Sequence, residues 1–259
     1  MNYTKEDFKY VITNQSITFY FDFQIKTVLA GEDLYDQLKL AIEAKDWNSI
    51  PALLSVENYL SAKSNFKFKV EDGIVLVDTD NGWWSCPSDL NDTIIKFMKN
   101  NLSFDYLVKF AQNLSKNPSP RSIQQLFSFL TKNKFTICED GSFVGYKSVS
   151  KKGTKLVDTY TKTISHNPGD IIKMSWEDVE DDPNITCARG AHAANLDYAK
   201  NSYPGDVIFW VKICPSDVVS VPTDYNNAKM RTRGYQVMGI FEKDTEFESG
   251  ILETDVSGS

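Results

Sequence analysis

The twelve residues Asp181-Asp182-Pro183-Asn184-Ile185-Thr186-Cys187-Ala188-Arg189-Gly190-Ala191-His192 gather acids, a thiol, a guanidinium and an imidazole into one short run. Cys187 and His192 are a nucleophile and a base by type, because an adjacent imidazole lowers a thiol's pKa and raises its thiolate fraction. Set on a loop, the pair reads more simply as a structural cysteine and a histidine that hydrogen-bonds the loop. A closed zinc site needs four ligands, and the other histidine, His166, lies in a separate turn, so no metal is expected. Asp178, Glu180 and Asp182 alternate as the first ligands of a calcium loop do. Pro183 then stands where that loop needs glycine, and Arg189 where it needs a bidentate glutamate. The ordinary alternative for Asp182-Pro183-Asn184 is a turn whose side chains cap its own backbone.

A second polar run, Asp224-Tyr225-Asn226-Asn227-Ala228-Lys229-Met230-Arg231, follows between strand-like segments. Lys147, Arg189, Lys229, Arg231 and Arg233 suit phosphate recognition, and Asn226 and Asn227 donate and accept in a plane. The candidate surface therefore comprises Lys147, Asp181, Asp182, Asn184, Cys187, Arg189, His192, Tyr225, Asn226, Asn227, Lys229 and Arg231. It would face a partner or a small anionic, nucleotide-like ligand. The competing reading pairs these bases internally with Asp181, Asp182 and Asp224. No GxxxxGK[ST] or GxGxxG motif is present, no cofactor is expected, and no catalytic residue is assigned. Trp83-Trp84 beside Asn81-Gly82 could stack on bases or sugars, but a turn folding both rings onto the core is the commoner arrangement.

These runs need elements to bring them together. Thr18, Tyr20, Asp22 and Gln24 alternate with Phe19, Phe21, Phe23 and Ile25, the period-two pattern of half-buried strands, so residues 9 to 29 should form a hairpin. Leu34, Leu38 and Ala41 recur at helical spacing after Asp33, an acceptable N-cap, up to about Asp46. Phe66, Phe68 and Val70, then Asp72-Gly73, then Ile74 and Val75 predict two strands around a tight turn. Ser88 can cap a helix bearing Leu90, Ile94, Phe97 and Met98, and Ser103 one bearing Leu107, Phe110 and Leu114. After the break at Asn117-Pro118-Ser119-Pro120 a third carries Ile123, Leu126, Phe127 and Leu130. Strand patterning then returns: 135 to 137 and 143 to 146 around Glu139-Asp140-Gly141, Val157 to Thr163, and Ile171 to Met174 after the turn His166-Asn167-Pro168-Gly169-Asp170. Residues 177 to 190 should form a long excursion. Val207 to Ile213 reads as a buried strand, and Asp217 to Pro222 and Tyr235 to Phe241 as its edges or neighbours. The expected fold is α+β: a small N-terminal α+β unit (1–87), a helical connector (88–133), a mainly antiparallel β domain with long polar loops (134–245) and a flexible acidic tail (246–259).

Composition limits the partners. A chain of 259 residues with 41% apolar content can bury a sizeable core, and a net charge of −7 disfavours generic binding to nucleic acid. No run of eighteen apolar residues and no export signal is present, which predicts a cytoplasmic protein without a transmembrane segment. Cys86, Cys138, Cys187 and Cys214 should accordingly be free thiols, with Cys138 and Cys214 buried.

Three ordered motifs resemble the rIIB-like proteins of tailed bacteriophages: Glu139-Asp140-Gly141-Ser142-Phe143-Val144-Gly145-Tyr146-Lys147, Asp181 to His192, and Asp217-Val218-Val219-Ser220-Val221-Pro222 continuing to Met230-Arg231. The likeness extends upstream to Leu107-Val108-Lys109-Phe110 and Asn117-Pro118-Ser119. The chain departs from the family pattern at Ala191 and Ala193, where leucine and valine flank the histidine, at Ile185, where arginine is usual, and at Tyr160, where a histidine often sits. The resemblance implies a phage accessory protein of infection linked to lysis timing, superinfection exclusion or counter-defence. It implies no reaction. It would act in the host cytoplasm, or at the inner membrane through a partner, by binding a host or phage protein such as a companion lysis-control protein. The runner-up is binding or processing of a nucleotide-like molecule at the two polar runs, which are expected to lie against each other.

Overall fold

The computed structural model describes residues 3–21, 24–55, 68–100, 102–185, 188–202, 205–221, 228–242 and 249–250. The chain divides into two compact units, one of Met1–Cys86 with Thr93–Asp105, the other of Pro87–Asp92 with Tyr106–Ser259.

In the first unit, β1 (Lys9–Ile12), β2 (Ser16–Phe21) and β3 (Gln24–Leu29) form an antiparallel sheet, so the expected hairpin has a third strand. Helices α1 (Asp33–Glu43) and α2 (Ile50–Leu53) follow. The alternation works as period two requires: Ile17 and Phe19 are fully buried, joining Val28, Leu34, Leu38 and Ile50 in one core. Ile25 does not share that face, because it pairs with Tyr20 and both point outward. The N-cap of α1 is Glu32, which leaves Asp33 in the first turn, where a carboxylate complements the helix dipole. Next come β4 (Phe68–Glu71), β5 (Ile74–Thr79) and β6 (Gly82–Ser85), joined as a second antiparallel sheet with the expected turn at Asp72-Gly73. Phe66 lies outside the described residues. Trp83 and Trp84 belong to β6, not to a turn. Strand alternation leaves Trp83 exposed, with the Lys69 ammonium 4.5 Å from its ring centroid, and Trp84 half-buried. Helix α3 (Ser88–Lys99) begins in one unit and ends in the other.

The second unit opens with α4 (Asp105–Leu114) and α5 (Pro120–Lys132). Ser119 caps α5 by accepting from the Ser122 amide at 3.2 Å, and Pro120 occupies the first helical position, where its missing N–H costs nothing. The stripes that predicted these helices are buried except for the half-buried Ile123, and Phe110 meets Phe127 edge-on. After them run β7 (Thr136–Cys138), β8 (Phe143–Lys152), β9 (Lys155–Asp158), β10 (Ile171–Lys173), β11 (Ala191–Ala194), α6 (Leu196–Asn201), β12 (Val207–Ile213), β13 (Val218–Ser220), β14 (Lys229–Thr232), β15 (Gly234–Ile240) and β16 (Ser249–Gly250). They make one antiparallel sheet in the order β10-β15-β12-β8-β11-β14-β13, with β7 and β9 also on β8 and β16 on β7. Helices α4 and α5 are fastened to this sheet. The Asn117 amide donates to the carbonyls of Pro215 and Val218, both at 2.8 Å, and the Ser122 hydroxyl to that of Val219 at 2.7 Å.

The hairpin at Glu139-Asp140-Gly141 forms as expected, and its tip seats on α4. Gly141 has φ +75°, and a Cβ there would lie 2.4 Å from the Lys109 carbonyl carbon. Strand β12 is central, between β8 and β15, yet only alternate side chains, Phe209, Val211 and Ile213, are fully buried. The expected strand Val157 to Thr163 stops at Asp158, whose carboxylate gathers the following amides into a turn. Cys86 and Cys138 are buried free thiols, whereas Cys214 is half-buried because it leaves β12 at a turn. Of the segment expected to be a tail, Ser249 and Gly250 pair with Cys138 and Ile137.

Candidate functional site

Strand β8 carries the site because its two edges are used differently. One edge pairs with β12 continuously from Phe143 to Val149. The other meets β7 at Phe143 and Val144, β11 at Tyr146, and β9 from Val149 to Lys152. Beyond Tyr146, β11 runs along β14 instead, so the sheet divides beside Lys147 and Ser148. A cavity of about 500 Å³ lies in this fork. Lys147 and Ser148 line it with the four residues of β11, the turn after Asp158, and Tyr198 and Ala199 of α6.

One carboxylate, Asp158, is among the described residues that line the cavity. It accepts the amides of Thr161 at 2.6 Å, Thr163 at 3.1 Å and Ile164 at 2.8 Å, and the Thr161 hydroxyl at 2.8 Å. Burial pushes its pKa up, but these donors prevail and hold it at about 2. The turn it builds seats His166, fully buried, with Nδ1 3.0 Å from the Ile164 carbonyl and Nε2 2.8 Å from the Tyr235 hydroxyl. Burial lowers the pKa of this imidazole and raises that of Tyr235. In the neutral ring, then, Nδ1 donates to the carbonyl and Nε2 accepts from the phenol.

Two nitrogens in the cavity differ from this satisfied pair. Burial pulls the Lys147 ammonium down to about 8, with the Asp158 charge opposing. Nε2 of His192 is buried and has no hydrogen-bond partner among the described residues. Desolvation, then the charges of Lys147, Lys229 and Arg231, bring His192 to about 3, so it is neutral at physiological pH.

The described parts of the two polar runs meet, and Arg231 joins them. His192 pairs with Arg231 across β11 and β14. The Arg231 side chain, 0% exposed, donates from Nε to the Glu180 carbonyl at 2.8 Å, from Nη1 to that of Ile185 at 2.7 Å, and from Nη2 to that of Asp182 and to the Ser220 hydroxyl. The sequence suggested carboxylates or a ligand for this guanidinium; among the described residues it holds the 180–185 loop by backbone oxygens, because the loop turns its carbonyls inward over the strand. Gly190 permits the approach: its φ is +154°, and a Cβ there would stand 2.9 Å from Val179 and 3.4 Å from the Arg231 stem. His192 and Lys229 to Arg231 are consequently strand residues, not loop residues. All four positions of β14 are buried.

The remaining predicted residues separate. Lys147, Arg189, His192 and Lys229 line the cavity. Arg189 also pairs with Asp178 at 3.0 Å, and Arg233 with Asp217 at 2.6 Å. Asp181 gives its carbonyl to Arg121 at 3.1 Å on the surface. Asp182 and Asn184 form the self-capped turn, the Asn184 amide reaching Asp182 Oδ1 at 2.9 Å. Cys187, Tyr225, Asn226 and Asn227 lie outside the described residues. Sequence reasoning missed Asp158, His166 and Tyr235 as cavity residues. The signal was Asp158 followed by Thr159, Thr161 and Thr163, a turn-capping pattern that alternation disguised as strand. Among the described residues no His, Cys, Asp and Glu cluster suits a metal, and no helix is long and apolar enough to cross a membrane.

Comparison with known proteins adds two findings. The family model described as bacteriophage T4 protein rIIB matches residues 2–252. Protein rIIB of Enterobacteria phage T4 is 38% identical over 152 residues, which cover 58% of this chain and 48% of that protein, so the match spans about half the length of its relative. No solved structure matches.

Proposed function

The chain belongs to the bacteriophage T4 rIIB family, and from that premise we propose that this phage accessory protein works by holding a small anionic molecule in the fork of its large sheet. The observation that carries the reading is the charge of the cavity. Lys147, Arg189 and Lys229 line it against Asp158, whose oxygens are already engaged by five donors, in a chain of net charge −7. Ala188, Ala191, Ala193, Ala194 and Ala199 leave room for the ligand body and lower the local dielectric, which strengthens a charge-assisted contact. Capture or release of such a molecule during infection would be the route to lysis timing, exclusion or counter-defence.

Calorimetry against inorganic phosphate, nucleotides and cyclic nucleotides tests this. Binding of at least one anion is expected, weakened about ten-fold or more by Lys147→Met at unchanged melting temperature, as the loss of one charge-assisted bond requires. An anion also favours the charged form of Lys147, so at pH 8 binding should take up protons, visible as a dependence of the measured heat on buffer ionisation. Failure of every anion to bind would end the reading.

A second reading keeps the protein partner implied by the family resemblance, a companion phage protein or a host protein. The outward face of the N-terminal sheet favours it, since Val11, Tyr20, Ile25 and Leu29 share that face and Val11 and Ile25 are 64% and 73% exposed. Under this reading Val11→Lys with Ile25→Lys removes a specific cross-link to one companion phage protein in infected cells while leaving anion binding intact. An unchanged cross-linking pattern would count against it.

A further inference from the structure

We propose that Lys147 captures a carbonyl-bearing anion in this cavity as a Schiff base, with His192 moving the protons. The inference rests on the anion reading of the site and adds a covalent chemistry to it. Lys147 stands at the division of the sheet, between the last β11 pairing at Tyr146 and the first β9 pairing at Val149, so its side chain opens on the cavity. It forms no hydrogen bond or ion pair with any described residue, and the carboxylate whose charge it feels, Asp158, is committed to the turn at 161–164. Lys147 is half-buried, and a half-buried ammonium on the wall of a cavity with no partner among the described residues is open to a ligand. A lysine desolvated among small apolar residues is held partly as the free amine, the form that attacks carbonyl carbon.

His192 completes the arrangement. Its ring is neutral, its Nε2 is unpartnered among the described residues, and the Lys147 charge is one of the causes that keep the ring unprotonated. The amine nitrogen bonds to the carbonyl carbon as the carbonyl π pair moves to oxygen. One proton passes from nitrogen through the imidazole to that oxygen, giving the carbinolamine; the second nitrogen proton follows to the hydroxyl as the nitrogen lone pair forms the C=N bond, and the C–O bond breaks to release water. The balance is amine plus carbonyl giving imine plus water, with no oxidant, reductant or further reactant. Lys229 and Arg189 offer charge for the anionic end of the same molecule. The ligand class is therefore a small aldehyde or ketone that also carries a phosphate or carboxylate.

The test uses the full chain and pyridoxal 5′-phosphate, an aldehyde with a phosphate, at pH 8, with and without borohydride, followed by peptide mapping. One reduced adduct is expected on Lys147, favoured about ten-fold or more over any other lysine, and suppressed by excess inorganic phosphate. Lys147→Arg keeps the charge and should keep reversible anion binding while losing the adduct; His192→Gln should slow capture without abolishing it. Adducts spread over surface lysines, with phosphate and nucleotides still bound reversibly, overturn the covalent proposal and leave the anion reading standing. Neither adduct nor reversible binding removes both. If Lys147→Arg does not fold, the position of the adduct on the unaltered protein decides.

Discussion

At the scale of single residues, Arg231 and His192 sit opposite one another in a strand pair and do different work. Arg231 is a structural fork: three bonds from a fully buried guanidinium hold the 180–185 loop against β14, and a fourth reaches the Ser220 hydroxyl of β13. Arg231→Ala should leave three carbonyls without that donor and an unfilled volume, at a cost of about 3 kcal/mol or more read in urea denaturation. Arg231→Lys should recover little of this, because a point charge cannot serve three directions. His192 makes stability depend on pH. Its folded pKa of about 3 lies below the ordinary 6.5, so the unfolded chain binds the proton first, and stability present above pH 6.5 is lost as pH falls toward 3. Allowing for partial exposure, about 1–2 kcal/mol should disappear between pH 7 and pH 4.5 in melts of the unaltered protein. His192→Gln should flatten that slope, leaving the smaller contribution of His166, whose pKa is lowered in the same direction. An unchanged slope in His192→Gln would show that this imidazole is not the group responsible.

At the scale of elements, the β7–β8 hairpin is the device that places Lys147. Asp140 caps the turn by accepting the Ser142 amide at 3.0 Å and pairs with Lys212 at 2.7 Å, which ties the tip to the neighbouring strand β12. Gly141 lets the tip lie on the backbone of α4. Gly141→Ala therefore meets both a left-handed φ and a backbone collision, and should cost about 2 kcal/mol or more in thermal unfolding. Gly153, at the exposed β8–β9 turn, has φ +63° but nothing within 4 Å of a Cβ, so its alanine variant should cost markedly less. Comparable losses at the two positions would contradict the seating of the tip on α4.

At the scale of the whole molecule, the two compact units are not divided at one point in the chain. The first takes Thr93–Asp105 from beyond the segment Pro87–Asp92 that belongs to the second. Phe104 supplies a reason, since its ring meets Phe68 edge-on at 5.4 Å and both are buried. A fragment of residues 1–105 should therefore melt cooperatively at a higher temperature than one of residues 1–86, which loses that ring and leaves Phe68 uncovered. Equal melting of the two fragments by circular dichroism would refute the assignment.

The sequence by itself determined the α+β class, the helices after Asp33, Ser88, Ser103 and Pro120, the Asp-Gly hairpins and the family. These are local matters: a period of 3.6 or 2, a proline that cannot continue a helix, a glycine at positive φ, and motif residues in order. It also predicted that the two polar runs lie against each other; their described parts do, through the β11–β14 pairing and the bonds of Arg231 to backbone carbonyls. Only the tertiary structure decided which of those charges face a cavity. Arg231 and Lys147 look alike in a sequence, yet one lies under a loop of inward carbonyls and the other where two strands part on a third, and neither circumstance has a signature within a few residues of its own position. His166 and Tyr235 were unreadable for the same reason. Their meeting depends on β9 pairing with β8 and β15 with β12 in one sheet, and long-range strand pairing, unlike helical spacing, is set by the packing of the whole sheet.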